Sequence, residues 1–348
     1  MQRLKSLFTR PPNHDDRGAS AVIVALMMVP IMILAALAID VGAMHADRQQ
    51  LQTGADAGAL AIAQDCARDD CDTDTSRSTA ETMAAANLNA TGAVGDVTTL
   101  DANTGEVSVR TSAVRDHWFA PIIGINSSPI QAQSSARWGY PTGGTAVMPL
   151  TFSWCELEDQ IGITVLRDAE NNVIGVDIPD ETPEVTLFNK GGEQDHNCHG
   201  TSGSQSGGSS GNVVPGGFRW IVPGPGGCGK TESIIGGWVR SDTGASVPSG
   251  CTKGHFEKWV GKTVLLPIFD RTNGLTGNNA EYQVFGYAAF TLSGFYFGQQ
   301  IQHPSPAPCG SPDRCIKGSF DRFVDLTEDF DYSPSGPRLG AAVVALTE

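Results

Sequence analysis

The sequence predicts an α+β fold: a single N-terminal transmembrane helix extended outward as a rod, a small α+β domain, and a disulfide-tied β-rich extracytoplasmic body. Three observations carry that prediction. The run Ala19–Ile39 is apolar and uncharged, all eight cysteines and all but two of the 38 acidic residues follow it, and the remainder is rich in turn formers, with 41 Gly and 20 Pro in 348 residues. Such a body reads as short strands joined by many turns around a modest core.

As a helix rising about 1.5 Å per residue, Ala19–Ile39 covers the roughly 30 Å hydrocarbon core of a bilayer. Arg3, Lys5, Arg10 and Arg17 precede it, whereas Asp40 and Asp47 follow with only Arg48 nearby. That asymmetry places residues 1–18 in the cytoplasm and everything after Asp40 outside, in a single-pass cell-membrane topology. Outside, thiols oxidise and an even cysteine set reads as a disulfide framework. The alternative is a cleaved leader ending at the small residues Ala36 and Ala38, but the apolar stretch exceeds the ~7–15 residues of a signal-peptide core.

Removing the four basic and two acidic residues of positions 1–39 leaves 19 basic against 36 acidic, a net charge of -17 for the exported part. Nucleic acid is excluded as a partner, because phosphate would be repelled. Flat adsorption on anionic lipid is disfavoured for the same reason.

Past the bilayer, Val41, Met44, Arg48, Leu51, Ala55, Gly58, Ala59 and Ile62 recur at intervals of three and four. The helix should therefore continue through 40–64, giving a rod on the order of 69 Å. Pro30, in the membrane half, should kink it. Gly54, Ala55, Ala57, Gly58, Ala59, Ala61 and Ala63 make a small-residue flank on which another backbone can approach closely, and Gly54, Ala55, Gly58, Ala59 and Ile62 are its candidate packing residues. A partner helix and the chain's own domain fit that flank equally well.

Residues 65–140 read as a small α+β domain. Cys66 and Cys71 bracket an acidic loop, a helix is expected at Ser78–Asn89 with Ser78 or Thr79 as cap, and alternating stretches at Gly95–Thr99 and Glu106–Val114 form a hairpin around Asp101, Asn103 and Gly105. Trp118–Ile125 is an apolar segment interrupted by Pro121 and Gly124, and Pro129–Trp138 reads as a third strand. Tyr140–Gly144 is Pro/Gly punctuation, the expected boundary to the body at 141–348. There, strands are expected at Ala146–Trp154, Ile161–Arg167, Phe218–Val222, Ser233–Val239, Lys262–Phe269, Glu281–Leu292 and Ala341–Leu346, with a flexible Gly/Ser loop at 191–217.

Gly224, Gly229, Lys230 and Thr231 fit the phosphate-loop spacing, but the following Ser-Ile-Ile-Gly-Gly-Trp-Val is β-branched and glycine-broken where a helix is required. The match reads as coincidence. Asp74, Ser76 and Ser78 have the D-x-S-x-S spacing of a cation site without a preceding apolar strand. His196, Cys198 and His199 lack a fourth zinc ligand, and Asp321, Asp325, Glu328, Asp329 and Asp331 lack the regular spacing of a calcium loop. No catalytic constellation, cofactor or metal is expected. Proximity pairs Cys66 with Cys71, Cys155 with Cys198, Cys228 with Cys251 and Cys309 with Cys315, each bridge contributing on the order of 3 kcal/mol.

Arg17-Gly-Ala-Ser-Ala-Val, Ala36-Leu-Ala-Ile-Asp40-Val-Gly42 and Arg48-Gln-Gln-Leu51-Gln-Thr-Gly-Ala55-Asp56-Ala-Gly-Ala-Leu60-Ala resemble the N-terminal segment of the TadE/TadG-like proteins of Flp (tight adherence) pilus assembly. The resemblance covers positions 17–64, with a further echo at Phe119–Ile125. It implies a single membrane helix, a pilin-like rod, and an extracytoplasmic domain serving pilus assembly or anchoring without catalysis, with membrane lipid and other pilus or envelope proteins as partners. Type IV prepilins carry Glu five residues after the processed Gly, where this chain has Ile23. The alternative function is an anchored extracytoplasmic enzyme or ligand-binding module in residues 146–348.

Overall fold

The computed structural model describes residues 16–88, 92–154, 157, 164–167, 169, 173–179, 182–189, 197–199, 213–215, 218–225, 227–242, 246–275, 277–325, 327 and 329–347. Helix α1, Asp16–Ala67, runs 52 residues, or about 78 Å at the α-helical rise. Pro30 lies inside it without ending it. All side chains described from Ser20 to Ala35 are exposed, whereas one face is covered from Ala36 onward.

Helix α2, Thr73–Asn87, begins five residues earlier than the sequence suggests because Asp72 caps it. The Asp72 carboxylate accepts the Thr75 N–H at 2.8 Å and its hydroxyl at 2.9 Å, satisfying donors that the first turn leaves open. Asp74, Ser76 and Ser78 lie within the helix, and Ser76 Oγ donates to the Asp72 carbonyl.

Strands β1 (Val94–Asp101) and β2 (Glu106–Asp116) form the expected hairpin, with Asn103 N–H donating to Asp101 Oδ1 in the turn. Strand β3, Ser127–Ala146, pairs antiparallel with the whole of β2 and runs straight through the anticipated boundary at Tyr140–Gly144. That segment is strand, not linker. Pro141 is accommodated where β17 (Phe330–Ser333) shifts register against β3, the kind of irregular position at which a sheet tolerates a residue with no N–H. Strands β11 (Thr231–Ile234) and β18 (Val343–Thr347) also pair with β3, completing a six-stranded sheet. The small unit is therefore closed by strands from the far end of the chain.

The second sheet has eight strands in the order β10 (Phe218–Trp220), β4 (Leu150–Ser153), β13 (Thr263–Thr272), β14 (Glu281–Tyr296), β16 (Cys315–Asp321) and β7 (Val185–Phe188). Strands β12 (Trp238–Arg240) and β15 (Gln302–His303) also pair with β14. Two expected strands are split between the sheets. The chain leaves β3 at Ala146 and enters β4 at Leu150, and Gly236, with φ +75°, turns it between β11 and β12. Two short ladders, β5 (Thr164–Arg167) with β6 (Val173–Asp177) and β8 (Asn197–His199) with β9 (Val213–Pro215), stand apart. The latter lies in the segment read as a flexible loop, the rest of which is outside the described residues.

Strand β13 is buried on both faces because alternate side chains point to opposite sides of a sheet. Val264, Leu266 and Ile268 join an aromatic core with Phe152, Trp220, Phe290 and Phe320. Leu265 and Phe269 join Tyr282, Tyr287 and Phe330. This second cluster cements the sheets to each other: Tyr287 of β14 meets Phe330 of β17 edge-on at 5.2 Å, and its hydroxyl lies 3.0 Å from Ser233 Oγ of β11.

Candidate membrane-anchoring and packing site

The outer half of α1 lies on the six-stranded sheet and on α2. Ala59, Ile62, Ala63 and Cys66 pack with Ala80, Val107, Val109, Ala136 and Trp138. A Cβ at Gly54 would sit 3.1 Å from the Met83 carbonyl oxygen, and one at Gly58 would sit 3.4 Å from Val109 Cγ1, so the glycines let α2 and β2 approach. Of the two contacts the small-residue flank could serve, the structure shows the intrachain one, with Ala55, Ala59 and Ile62 fully buried. Gln52, Thr53 and Gln64 occupy the exposed flank.

Two buried side chains pin the helix. Thr111 Oγ1 of β2 donates to the Leu51 carbonyl at 2.8 Å, and Tyr140 Oη of β3 donates to the Ala67 carbonyl at 2.9 Å. The second satisfies one of the carbonyls that a helix C-terminus leaves open. Burial pushes the Tyr140 phenol up, partly opposed by Arg338, whose guanidinium lies over its ring and pairs with Asp69. Burial likewise raises the Asp65 carboxyl, with Arg68 acting the other way.

Nearer the apolar run the contact becomes electrostatic. Asp40, the first residue past the uncharged run, is only 4% exposed, and its carboxylate accepts the backbone N–H groups of Trp118, Phe119 and Ala120 at 2.9, 3.0 and 2.7 Å. These belong to the β2–β3 connection, where a 3-10 turn spans Ala120–Ile123. Two turns further along α1, Asp47 Oδ2 lies 2.9 Å from Arg115 Nη1, and the Arg115 guanidinium lies over the Trp118 ring. Sequence reasoning missed both partnerships: it read Asp40 and Asp47 as topology markers, with no local signal of contacts 68 to 80 residues away.

The helix that carries these contacts coincides with a stretch that a family model matches. Residues 18–65 match the family model described as Putative Flp pilus-assembly TadE/G-like. No curated protein and no solved structure is similar enough to the chain to match it. The TadE/G-like segment thus contains the whole apolar run, Asp40, Asp47 and the glycine-bearing flank, and ends near Ala67, where α1 stops. The segment includes a helix long and apolar enough to cross a membrane near the N-terminus.

The other sequence candidates fall apart or resolve into structural roles. Around Gly224 and Lys230 the backbone closes on itself, Gly224 N–H donating to the Lys230 carbonyl at 2.8 Å and Lys230 N–H to Gly227 at 3.1 Å. Strand β11, rather than a helix, begins at Thr231, so no helix N-terminus faces a phosphate. Cys228, beside Gly229 in this turn, is bridged to Cys251; Cys66–Cys71 and Cys309–Cys315 are bridged as well. The Cys155–Cys198 pairing and the His196, Cys198, His199 side chains lie outside the described residues. Among the described residues no three His, Cys, Asp or Glu side chains are grouped to hold a metal ion. Asp321 accepts from the hydroxyls of Thr263 and Thr291, a structural use of its charge. A groove of about 630 Å³, lined by Gln64, Trp259, Lys262, Asp325, Asp329 and Phe330, opens between the end of α1 and the body.

Proposed function

We propose that this chain is a non-catalytic, membrane-anchored structural or assembly component of a Flp/Tad-type pilus or similar surface apparatus, with residues 1–18 in the cytoplasm and the body outside. The observation that supports it is the coincidence of the TadE/G-like match at 18–65 with α1, a helix whose first half is apolar and exposed and whose second half is clamped to the β-rich body. The anchor and the body then move as one piece, suiting a scaffold that transmits position from the membrane to the surface. Membrane lipid contacts residues 19–39, and other envelope proteins meet the body and the uncovered flank of α1. Because Gly54, Ala55, Gly58, Ala59 and Ile62 are used inside the chain, that partner contact is assigned to Gln52, Thr53 and Gln64 instead.

Deletion of the gene should abolish or shorten surface pili, with restoration by the wild-type chain but not by one carrying Leu34→Arg in the span. Normal piliation of the deletion strain would refute the reading. The groove beside Trp259 favours a second reading, a ligand-binding module, which a thermal shift of the full chain with glycans or nucleotides would support and which Trp259→Ala should then abolish.

A further inference from the structure

The connection between β2 and β3, residues 117–126, has no charged residue from Trp118 to Ile130, in a body carrying 36 acidic side chains. Its apolar side chains are not folded inward: Trp118, Ile122, Ile123 and Ile125 are 67%, 85%, 65% and 49% exposed. Leaving four large apolar groups of one short loop in water is unfavourable by roughly 25 cal/mol per Å² of apolar surface. What distinguishes this loop from other exposed apolar residues, such as Ile234, is where it is tied.

Asp40 holds the loop by three consecutive N–H groups at the very residue where the uncharged run ends. The loop is thereby fixed level with the last turn of the membrane span. The cover on α1 begins at Ala36, about one turn inside the apolar run, and is absent from Ser20 to Ala35. The exposed apolar surface of the loop is thus continuous with that of the span. Asp47 stands about 10 Å further out along the helix, and its partner Arg115, with its guanidinium over the Trp118 ring, marks the water side of the loop. Trp118, with an apolar ring and a polar N–H, is the residue type enriched at the headgroup level.

We infer that residues 118–125 form a second membrane contact, a loop that dips into the headgroup and outer acyl region beside α1 and fixes the body's height and tilt on the bilayer. The occupant of this apolar surface is lipid, and zwitterionic lipid suffices because the loop carries no charge. Pro121 and the 3-10 turn hold Ile122 and Ile123 at the tip, and the loop's first amides are already satisfied by Asp40, lowering the cost of bringing backbone near hydrocarbon. The inference goes beyond the pilus role and requires only that α1 span the bilayer.

The test uses the full chain reconstituted in phosphatidylcholine vesicles, with a photoactivatable benzophenone side chain placed singly at Leu34, Ile122 or Ile234. Lipid adducts at Ile122 should come within about threefold of those at Leu34, and those at Ile234 should be about tenfold fewer, since only the first two positions reach acyl chains. In a parallel measurement with brominated phosphatidylcholine, Trp118→Phe should remove about half or more of the quenchable emission of the six tryptophans. Lipid adducts at Leu34 with Ile122 no better than Ile234 would overturn the inference while sparing the anchor. Adducts at Ile122 to a second copy of the chain would overturn it in favour of a protein contact. No lipid adduct at Leu34 would overturn the anchor and this inference together.

Discussion

Arg115 reaches from β2 to Asp47 on α1, with Nη1 2.9 Å from Oδ2, while its guanidinium plane rests on the Trp118 ring. One side chain therefore couples the rod, the sheet and the exposed apolar loop. Both partners are mostly buried, so deleting one leaves the other desolvated and unpaired. Arg115→Met should destabilise the folded chain by about 1–3 kcal/mol, and Asp47→Asn by less, because the amide still accepts. Chemical denaturation in detergent micelles measures both, and the double variant should cost less than the sum.

The glycines of the rod make a graded prediction. Gly58→Ala has room at 3.4 Å from Val109 and gains helix propensity, so it should be neutral or stabilise by up to about 1 kcal/mol. Gly58→Leu must displace Val109 and Ala80 and should cost about 1–3 kcal/mol. Gly95→Ala is the severe case, because a Cβ there overlaps the Ala80 carbonyl where β1 meets α2. Thermal melts followed by circular dichroism should rank the three in that order.

Much of this was legible in the sequence, and the failures have physical causes. The long apolar helix, the hairpin and three proximal disulfides follow from periodicity, turn chemistry and spacing, which are local. Tyr140–Gly144 reads as punctuation in the sequence because Pro141, Gly143 and Gly144 normally end a strand, whereas β3 continues through it. Here they sit where two further strands, β11 and β17, come close to β3, and small residues permit that approach. The Asp40 site was invisible because it depends on amides nearly eighty residues distant. The flank of α1 was readable as a contact but not as to its partner, since small residues serve a foreign helix and a neighbouring one equally.

The bridges should differ in worth according to the chain they close. Cys228–Cys251 spans 23 residues and Cys66–Cys71 only 5. Replacing the first pair by serine should lower stability by about 3 kcal/mol and the second by about 2 kcal/mol, if restriction of the unfolded chain dominates. Equilibrium denaturation of each double variant checks the order.

Alkaline pH should loosen the joint between the sheets. Burial pushes the Tyr287 phenol up to about 12, its hydrogen bond to Ser233 acting the other way. The unfolded phenol titrates near 10, so the contribution is fully present below pH 10 and declines as pH rises from 10 to 12, by on the order of 2 kcal/mol. Tyr287→Phe should flatten part of that slope in pH-dependent melts, the raised phenol of Tyr140 supplying another part.

Strand β18 pairs Val343 with Gly139 and Thr347 with Ser135, joining segments some two hundred residues apart. Ordering such distant partners is slow, because the intervening chain must be confined before any contact rewards it. The sheet holding the rod therefore stays open along one edge of β3, with Trp138 and Ala136 lacking their β18 neighbours, until the last strand of the chain has folded onto it. A molecule halted before that point would expose an unpaired strand edge beside α1, a natural handle for proteases. Seating of the long helix and completion of the β-rich body are thereby made interdependent.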